Sequence, residues 1–344
     1  MRQVQQVKKA LVVCLLLSSW LLANDRDDAQ RLLARSFQQA SPWKSSTVHI
    51  TATFAVPVNG KPSASLVYSL AWSGPDKWRA EWSGEGYSKL TVVQNGVRHT
   101  HTNANSTPAK VMLIEQALGA LDGFSPLGPF APPLSIGVIK PSAGNTKIDG
   151  VQVKCVTPDQ FMGKYCIDPT NATAIRNTVG NSTFTYADYV STGELKYPQQ
   201  IRIFLSGRET DAPMMIADGK VSFELGTTIP EESFQAPANA RSSPYPFCAD
   251  LDKSFVAPSA DSSTGRPVYP GAARAKRQTG TVRIYLHLNE EGKLVQSSVY
   301  GSAGPELDQS ALDAIRKWKF TPYTRCGKGI EVEEIESVNY TLAP

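Results

Sequence analysis

The side chains with the most definite chemistry to offer are five cysteines, one of which, Cys14, sits inside an N-terminal apolar run. An even number of the rest in an exported chain suits disulfides rather than catalysis. Cys155-Val156 and Tyr165-Cys166 flank a loop containing Pro158-Asp159 and Gly163. Antiparallel strands joined that way bring two Cβ atoms within about 4 Å, so Cys155 is expected to pair with Cys166. By elimination Cys248 would pair with Cys326. Four cysteines allow three pairings, and free buried thiols are the alternative. His99 and His101 would share one face of a strand, but two ligands are too few for a closed zinc site. A solvent-facing polar strand is the expectation there, with no metal. Trp72, Trp78 and Trp82 could line a ligand cavity or be ordinary core. Arg79 and Arg98 could hook a polar head group or simply face water.

No Gly-x-Ser-x-Gly, Walker loop, His-Glu-x-x-His or dinucleotide fingerprint occurs. The chain is therefore expected not to be an enzyme and to need no cofactor. A formal net charge of +4 is too small to argue for nucleic acid. The 344 residues leave room for two domains.

The elements that must position these residues can be read from periodicity. Lys8 and Lys9 precede an apolar run from Ala10 to Ala23, too short to span a bilayer, which takes about 20 residues. Residues 1–23 read as a secretory signal peptide. An uncleaved anchor in the inner membrane is the alternative. Ala29, Leu32, Leu33 and Phe37 have helical spacing, with acidic residues in the first turn. Val48 to Val56, Leu66 to Trp72 and Trp78 to Trp82 alternate with period two, as half-buried strands do. Asn95-Gly96 is a two-residue hairpin signal. A helix is expected over Pro108–Leu121, then a Pro- and Gly-rich loop over Gly123–Pro141. Strands resume around Val151, Tyr165, Phe184, Ile201 and Val221. Residues 241–262 are rich in Ser, Pro, Ala and Asp and read as a linker.

Past the linker come Pro267-Val268-Tyr269-Pro270 and a strand with Val282, Ile284, Leu286 and Leu288. Asn289-Glu290-Glu291-Gly292 turns it into a second strand, about Lys293 to Tyr300. A helix starting at Leu307-Asp308 follows, with Ala311, Ala314, Ile315 and Trp318 on its stripe. Trp318-Lys319-Phe320-Thr321-Pro322 leads to a last strand, Glu333 to Leu342. This order of motifs resembles the C-terminal domain of the TonB family over about residues 265–342. The resemblance implies a small two-layer ββαβ domain, the periplasm, and recognition of peptides by strand pairing. It implies contacts through Pro267, Tyr269, Pro270, Val338 and Tyr340. The Pro-rich spacer and the spanning helix of the classical TonB proteins have no counterpart.

Residues 27–240 resemble the LolA/LolB lipoprotein carriers. Trp72-Ser73-Gly74-Pro75-Asp76-Lys77-Trp78-Arg79, Cys166-Ile167-Asp168-Pro169, Tyr186 to Tyr189 with Tyr197-Pro198, and Ile229-Pro230 to Pro237 carry that likeness. It implies a half-open antiparallel β-barrel over helices, with a cavity for an acyl or otherwise apolar guest. The expected class is α+β, with a leader (1–23), a LolA-like domain (24–240), a linker (241–262) and a TonB-like domain (263–344). The combined expectation is a periplasmic or cell-envelope protein that is not an enzyme. Its implied partners are a lipid or lipoprotein acyl ligand and an outer-membrane transporter or other envelope protein. A TonB-system energy transducer, and a scaffold whose barrel is filled, are the alternatives.

Overall fold

The structure, a computed structural model, describes residues 26–42, 45, 47–58, 61–122, 138–141, 146–158, 163–206, 213–246, 255–256 and 260–342. The expected leader and most of the Gly123–Pro141 loop lie outside these residues. Among the described residues, no helix is long and apolar enough to cross a membrane.

The strands between Val48 and Pro244 form one antiparallel sheet of fourteen strands. Its two meanders join where Val48–Val58 pairs with Met214–Leu225. Strand formation follows the alternation. Phe54, Leu66, Leu70, Trp78, Ile201 and Ile203 all point inward and are buried. Between them Arg79 and Glu81 point outward and bond each other at 2.7 Å. The Asn95-Gly96 hairpin turns with φ of 54° and 74°, the left-handed pair that such a two-residue loop demands. Gly219 is required by packing: a Cβ there would sit 2.1 Å from the Phe54 ring.

The sheet curves around the helix Ala109–Asp122. Trp82 Nε1 donates to Glu115 of this helix at 3.0 Å, and Tyr186 OH donates to the Ala117 carbonyl at 2.9 Å. Four strands separate those of Trp82 and Tyr186 in the sheet: Lys61–Gly74, Val48–Val58, Met214–Leu225 and Leu195–Leu205. In a flat sheet that separation is about 24 Å, at roughly 4.8 Å per strand, whereas a helix is about 10 Å across. One helix can touch both strands only if the sheet bends. Val111, Leu113, Ile114, Ala117 and Leu118 of the helix are buried in the same core as Trp72, Trp78 and Trp82.

A second helix, residues 26–40, packs Leu32, Leu33 and Phe37 against Val156, Tyr165 and Ile167 at the far end of the sheet. There Cys155 lies directly opposite Cys166, and the two form a disulfide. Cys326 is also disulfide-bonded. Its expected partner Cys248 lies outside the described residues.

The C-terminal unit is a three-stranded antiparallel sheet with Gly280–Leu288 in the middle, Leu294–Gly301 on one side and Val332–Tyr340 on the other. The helix Pro305–Ile315 covers one face, burying Leu307, Ala311 and Ile315 on Val282, Ile284 and Leu286. The helix ends before Trp318, whose Nε1 donates to the Gly265 carbonyl at 2.6 Å. The segment read as a linker has structure of its own. Arg241–Pro244 pairs with Val97–Thr102 as the last strand of the large sheet, and Phe255–Val256 and Ala260–Asp261 pair with strands of the C-terminal unit. Serine and proline fit such edge positions because only one side of the strand is paired.

Candidate functional site: a clasped sheet face and a free strand edge

The middle and last strands of the C-terminal unit alternate like any others, so their two faces have different fates. Val282, Ile284 and Leu286 face the helix. Tyr285 and His287, with Glu331 and Glu333 from the start of the last strand, face the large sheet. Two carboxylates dominate this second face.

Glu331 is 4% exposed. Arg241 grips both its oxygens, one of them at 2.6 Å, and Arg98 Nη2 lies 3.4 Å away and donates to the Glu331 carbonyl at 3.0 Å. His287 Nε2 is bonded to the same carboxylate. Burial alone would raise this acid, but the bonds from His287 and Arg241 and the charge of Arg98 hold it far below the usual carboxylate range.

Glu333 meets Lys89 Nζ at 3.0 Å, Thr107 Oγ1 at 2.6 Å and the Tyr285 hydroxyl at 2.9 Å. Here too burial pushes up, and the Lys89 charge and these bonds win, bringing Glu333 to about 2. Glu115, on the helix inside the large sheet, behaves oppositely. Burial raises it, the Lys89 charge lowers it less, and the Glu333 charge raises it again, leaving it at about 7.

Tyr245 completes the seam from the connecting segment. It is buried, with the Arg325 guanidinium 4.1 Å over its ring, Arg98 at 5.6 Å, and the Trp78 ring edge-on at 5.9 Å. Tyr300, from the opposite strand of the C-terminal sheet, donates to the Ala109 carbonyl at 2.6 Å.

Beyond Glu333 the last strand pairs, among the described residues, with Gly280–Leu288 on one side only. Its other edge has no strand partner among the described residues, and Ser337 and Asn339 are exposed there.

The residues singled out from the sequence fall into three places. Trp72, Trp78 and Trp82 are core, at 5%, 2% and 2% exposure, packed around the interior helix. Arg79 lies on the outer face with Glu81 and approaches the Ser233 carbonyl at 3.5 Å. Arg98 neither faces water nor opens toward a cavity; it is drawn into the seam because Glu331 needs cations. His287 joins Arg98 on the same carboxylate. His99 Nδ1 lies 2.9 Å from Ser242 Oγ. Val338 and Tyr340 are buried against the C-terminal helix, so the last strand offers its backbone edge rather than these side chains. Tyr269 stacks edge-on with Tyr340 at 5.6 Å and donates to the Gln278 carbonyl. Pro270 precedes the short helix Gly271–Ala275, and Ser310 bonds the carbonyl of Val268, next to Pro267. Sequence reasoning missed Lys89, Thr107, Glu331 and Glu333, since polar residues on strands look the same whether they face water or another unit. The one usable signal was the acidic run Glu331-Val332-Glu333-Glu334-Ile335-Glu336 on a strand that must have a partner face.

A helix over a three-stranded antiparallel sheet whose two outer strands, Leu294–Gly301 and Val332–Tyr340, each pair on one side only among the described residues has the form of a strand-accepting interaction module. Residues 265–342 match the family described as the Gram-negative bacterial TonB protein C-terminal. Protein TonB of Vibrio cholerae serotype O1 is 40% identical over 67 residues, which are 19% of this chain and 28% of that protein. Protein tonB2 of Pseudomonas aeruginosa is 36% identical over 63 residues, 18% of this chain and 23% of that one. The chain thus matches only about a quarter of the length of these relatives, and the C-terminal unit is TonB-like. Among solved structures, a LolA superfamily protein from Nitrosomonas europaea overlaps 60% of this chain and 97% of its own, with a TM-score of 0.39 and 13% identity. A DUF1329 family protein from Desulfovibrio piger overlaps 61% and 97%, with a TM-score of 0.39 and 10% identity. Overlaps this weak say nothing about a ligand.

Proposed function

We propose that this chain is a non-enzymatic cell-envelope protein that recruits an extended peptide of another envelope protein by strand addition. The observation that carries this reading is the free edge of Val332–Tyr340, in the part of the chain that matches the TonB C-terminal family. Backbone pairing supplies affinity and side-chain pockets supply selectivity in this mode. An outer-membrane transporter is the partner class the resemblance favours. The test is titration of the full chain with overlapping ten-residue peptides from transporter N-terminal segments. Peptides that bind should lose binding when alternate backbone nitrogens are methylated, because each methyl removes a ladder donor. Binding that survives methylation on both alternations rejects strand addition.

A second role is favoured by the large sheet. Its concave side is lined with Trp, Tyr, Phe and Ile side chains, and the buried Trp78 indole N–H has no acceptor among the described residues. A buried donor without an acceptor is uncommon. An acylated or otherwise apolar guest with a polar end would satisfy both features. Displacement of cis-parinaric acid by fatty acids and lipopeptides tests it. With no saturable binding at any chain length, the large sheet is a scaffold filled by its own helix.

A further inference from the structure

We propose that the C-terminal unit is the latch that keeps the helix Ala109–Asp122 seated inside the large sheet. The helix fills the concave side, yet its N-terminal end is held from outside. Tyr300 of the C-terminal sheet donates to the carbonyl of Ala109, the first helical residue, at 2.6 Å. Glu333 accepts from Thr107, two residues before the helix, at 2.6 Å. Lys89 binds both Thr107, at 3.1 Å, and Glu333, at 3.0 Å. Glu115, six residues further along the helix from Ala109, shares the field of Lys89 and Glu333 and takes its hydrogen bond from Trp82.

The helix has little support of its own at this end. Its first turn carries no acidic residue to complement the dipole. A 14-residue helix is marginal without tertiary contacts. Burial of Val111, Ile114 and Leu118 is the larger stabilising term, but an apolar guest on the same wall would compete for that surface. The latch contacts are then what separates helix-in from helix-out. By linkage, whatever loosens the C-terminal unit loosens the helix, and whatever displaces the helix loosens the C-terminal unit. Strand addition on the edge of Val332–Tyr340, which begins at Glu333's neighbour, is placed to act on this balance. The uncovering of the wall for a guest rests on the second reading above; the latch itself does not.

Hydrogen exchange with mass spectrometry on the full chain tests the latch. The variants are Tyr300→Phe, which removes one hydroxyl, and Tyr300→Phe combined with Thr107→Val, which removes both while keeping shape. Amides of residues 112–119 are expected to exchange about threefold faster in the single variant and about tenfold or more in the double. Those of Val48–Val58 should stay at the wild-type rate. Unchanged rates over 112–119 overturn the proposal, as does equal acceleration in both segments, which would mean general loosening. Added cis-parinaric acid separates the two readings. Faster exchange without any dye binding keeps the latch and rejects the apolar guest.

Discussion

The interior of the large sheet and the seam between the two units are both largely closed to water, yet they are built from opposite materials. The interior is rings and aliphatic chains: Tyr68 and Trp82 stack at 4.7 Å, and the helix is inserted among them. The seam is carboxylates met by Arg98, Arg241, Lys89 and His287. Apolar packing is non-directional and tolerates small shifts. Charged contacts hold only in one register, and each lone partner left behind is costly. The interior thus supplies stability, and the seam fixes where the C-terminal unit sits.

The contrast can be broken first from the interior. Trp78→Ala should cost about 3–5 kcal/mol, the usual range for truncating a buried aromatic. Thermal unfolding of the full chain measures it. A loss under about 1 kcal/mol would mean that the core around Trp78 is loose.

Next comes the seam. Glu331→Ala leaves Arg98 and His287 facing each other with no anion between them. Breaking a buried pair costs about 3–5 kcal/mol, but Arg241 is 59% exposed and relaxes into water, so about 2–3 kcal/mol is expected. Limited proteolysis should then cut between the units before it cuts the large sheet. Intact docking in Glu331→Ala would show that Tyr245 and the apolar contacts suffice.

Acidity sharpens the comparison, because Glu333 of the seam and Glu115 of the inserted helix titrate in opposite senses while the apolar packing around them does not titrate. Glu333 is held below its usual 4.5 at about 2, so its stabilising contribution is present above 4.5 and lost as the pH falls toward 2. Glu115 is raised from 4.5 to about 7, so the folded protein holds a proton that the unfolded chain releases, and stability falls as pH rises through that window. The groups facing Glu115 are Lys89, Glu333, Tyr87 and the Trp82 indole. Stability should therefore peak near pH 5. Glu334, raised to about 7 by burial and the Glu336 charge, adds to the decline toward neutrality, and Glu331 adds to the decline into acid, so Glu115→Gln and Glu333→Gln should each lessen their own limb without abolishing it. Unchanged slopes in denaturation midpoints across this range would contradict the cluster. The smallest effect should be Tyr300→Phe, about 0.5–1.5 kcal/mol for one hydrogen bond.

How much of this was legible in the sequence follows the same division. The alternation over Val48 to Val56, Leu66 to Trp72 and Trp78 to Trp82 marked half-buried strands, Asn95-Gly96 marked its turn, and the Cys155–Cys166 pair was expected from a hairpin. Helix Ala109–Asp122 lies within a residue of the expected Pro108–Leu121. That it enters the sheet was not readable, because an amphipathic stripe does not name the surface that covers it. Arg98, Glu331 and Glu333 were opaque for a related reason: a polar residue on a strand signals water unless its long-range partner is known. Residues 241–246 read as a linker by composition, yet Arg241 and Tyr245 are held by groups more than seventy residues away in sequence at Glu331 and Arg325.

The most direct test of the account is hydrogen exchange of the C-terminal unit with a bound transporter-derived peptide. Strand addition at the free edge predicts slowed exchange for amides within residues 334–340, with the opposite strand, Leu294–Gly301, unaffected. Protection of Leu294–Gly301 instead, or none on either strand at saturating peptide, would contradict it.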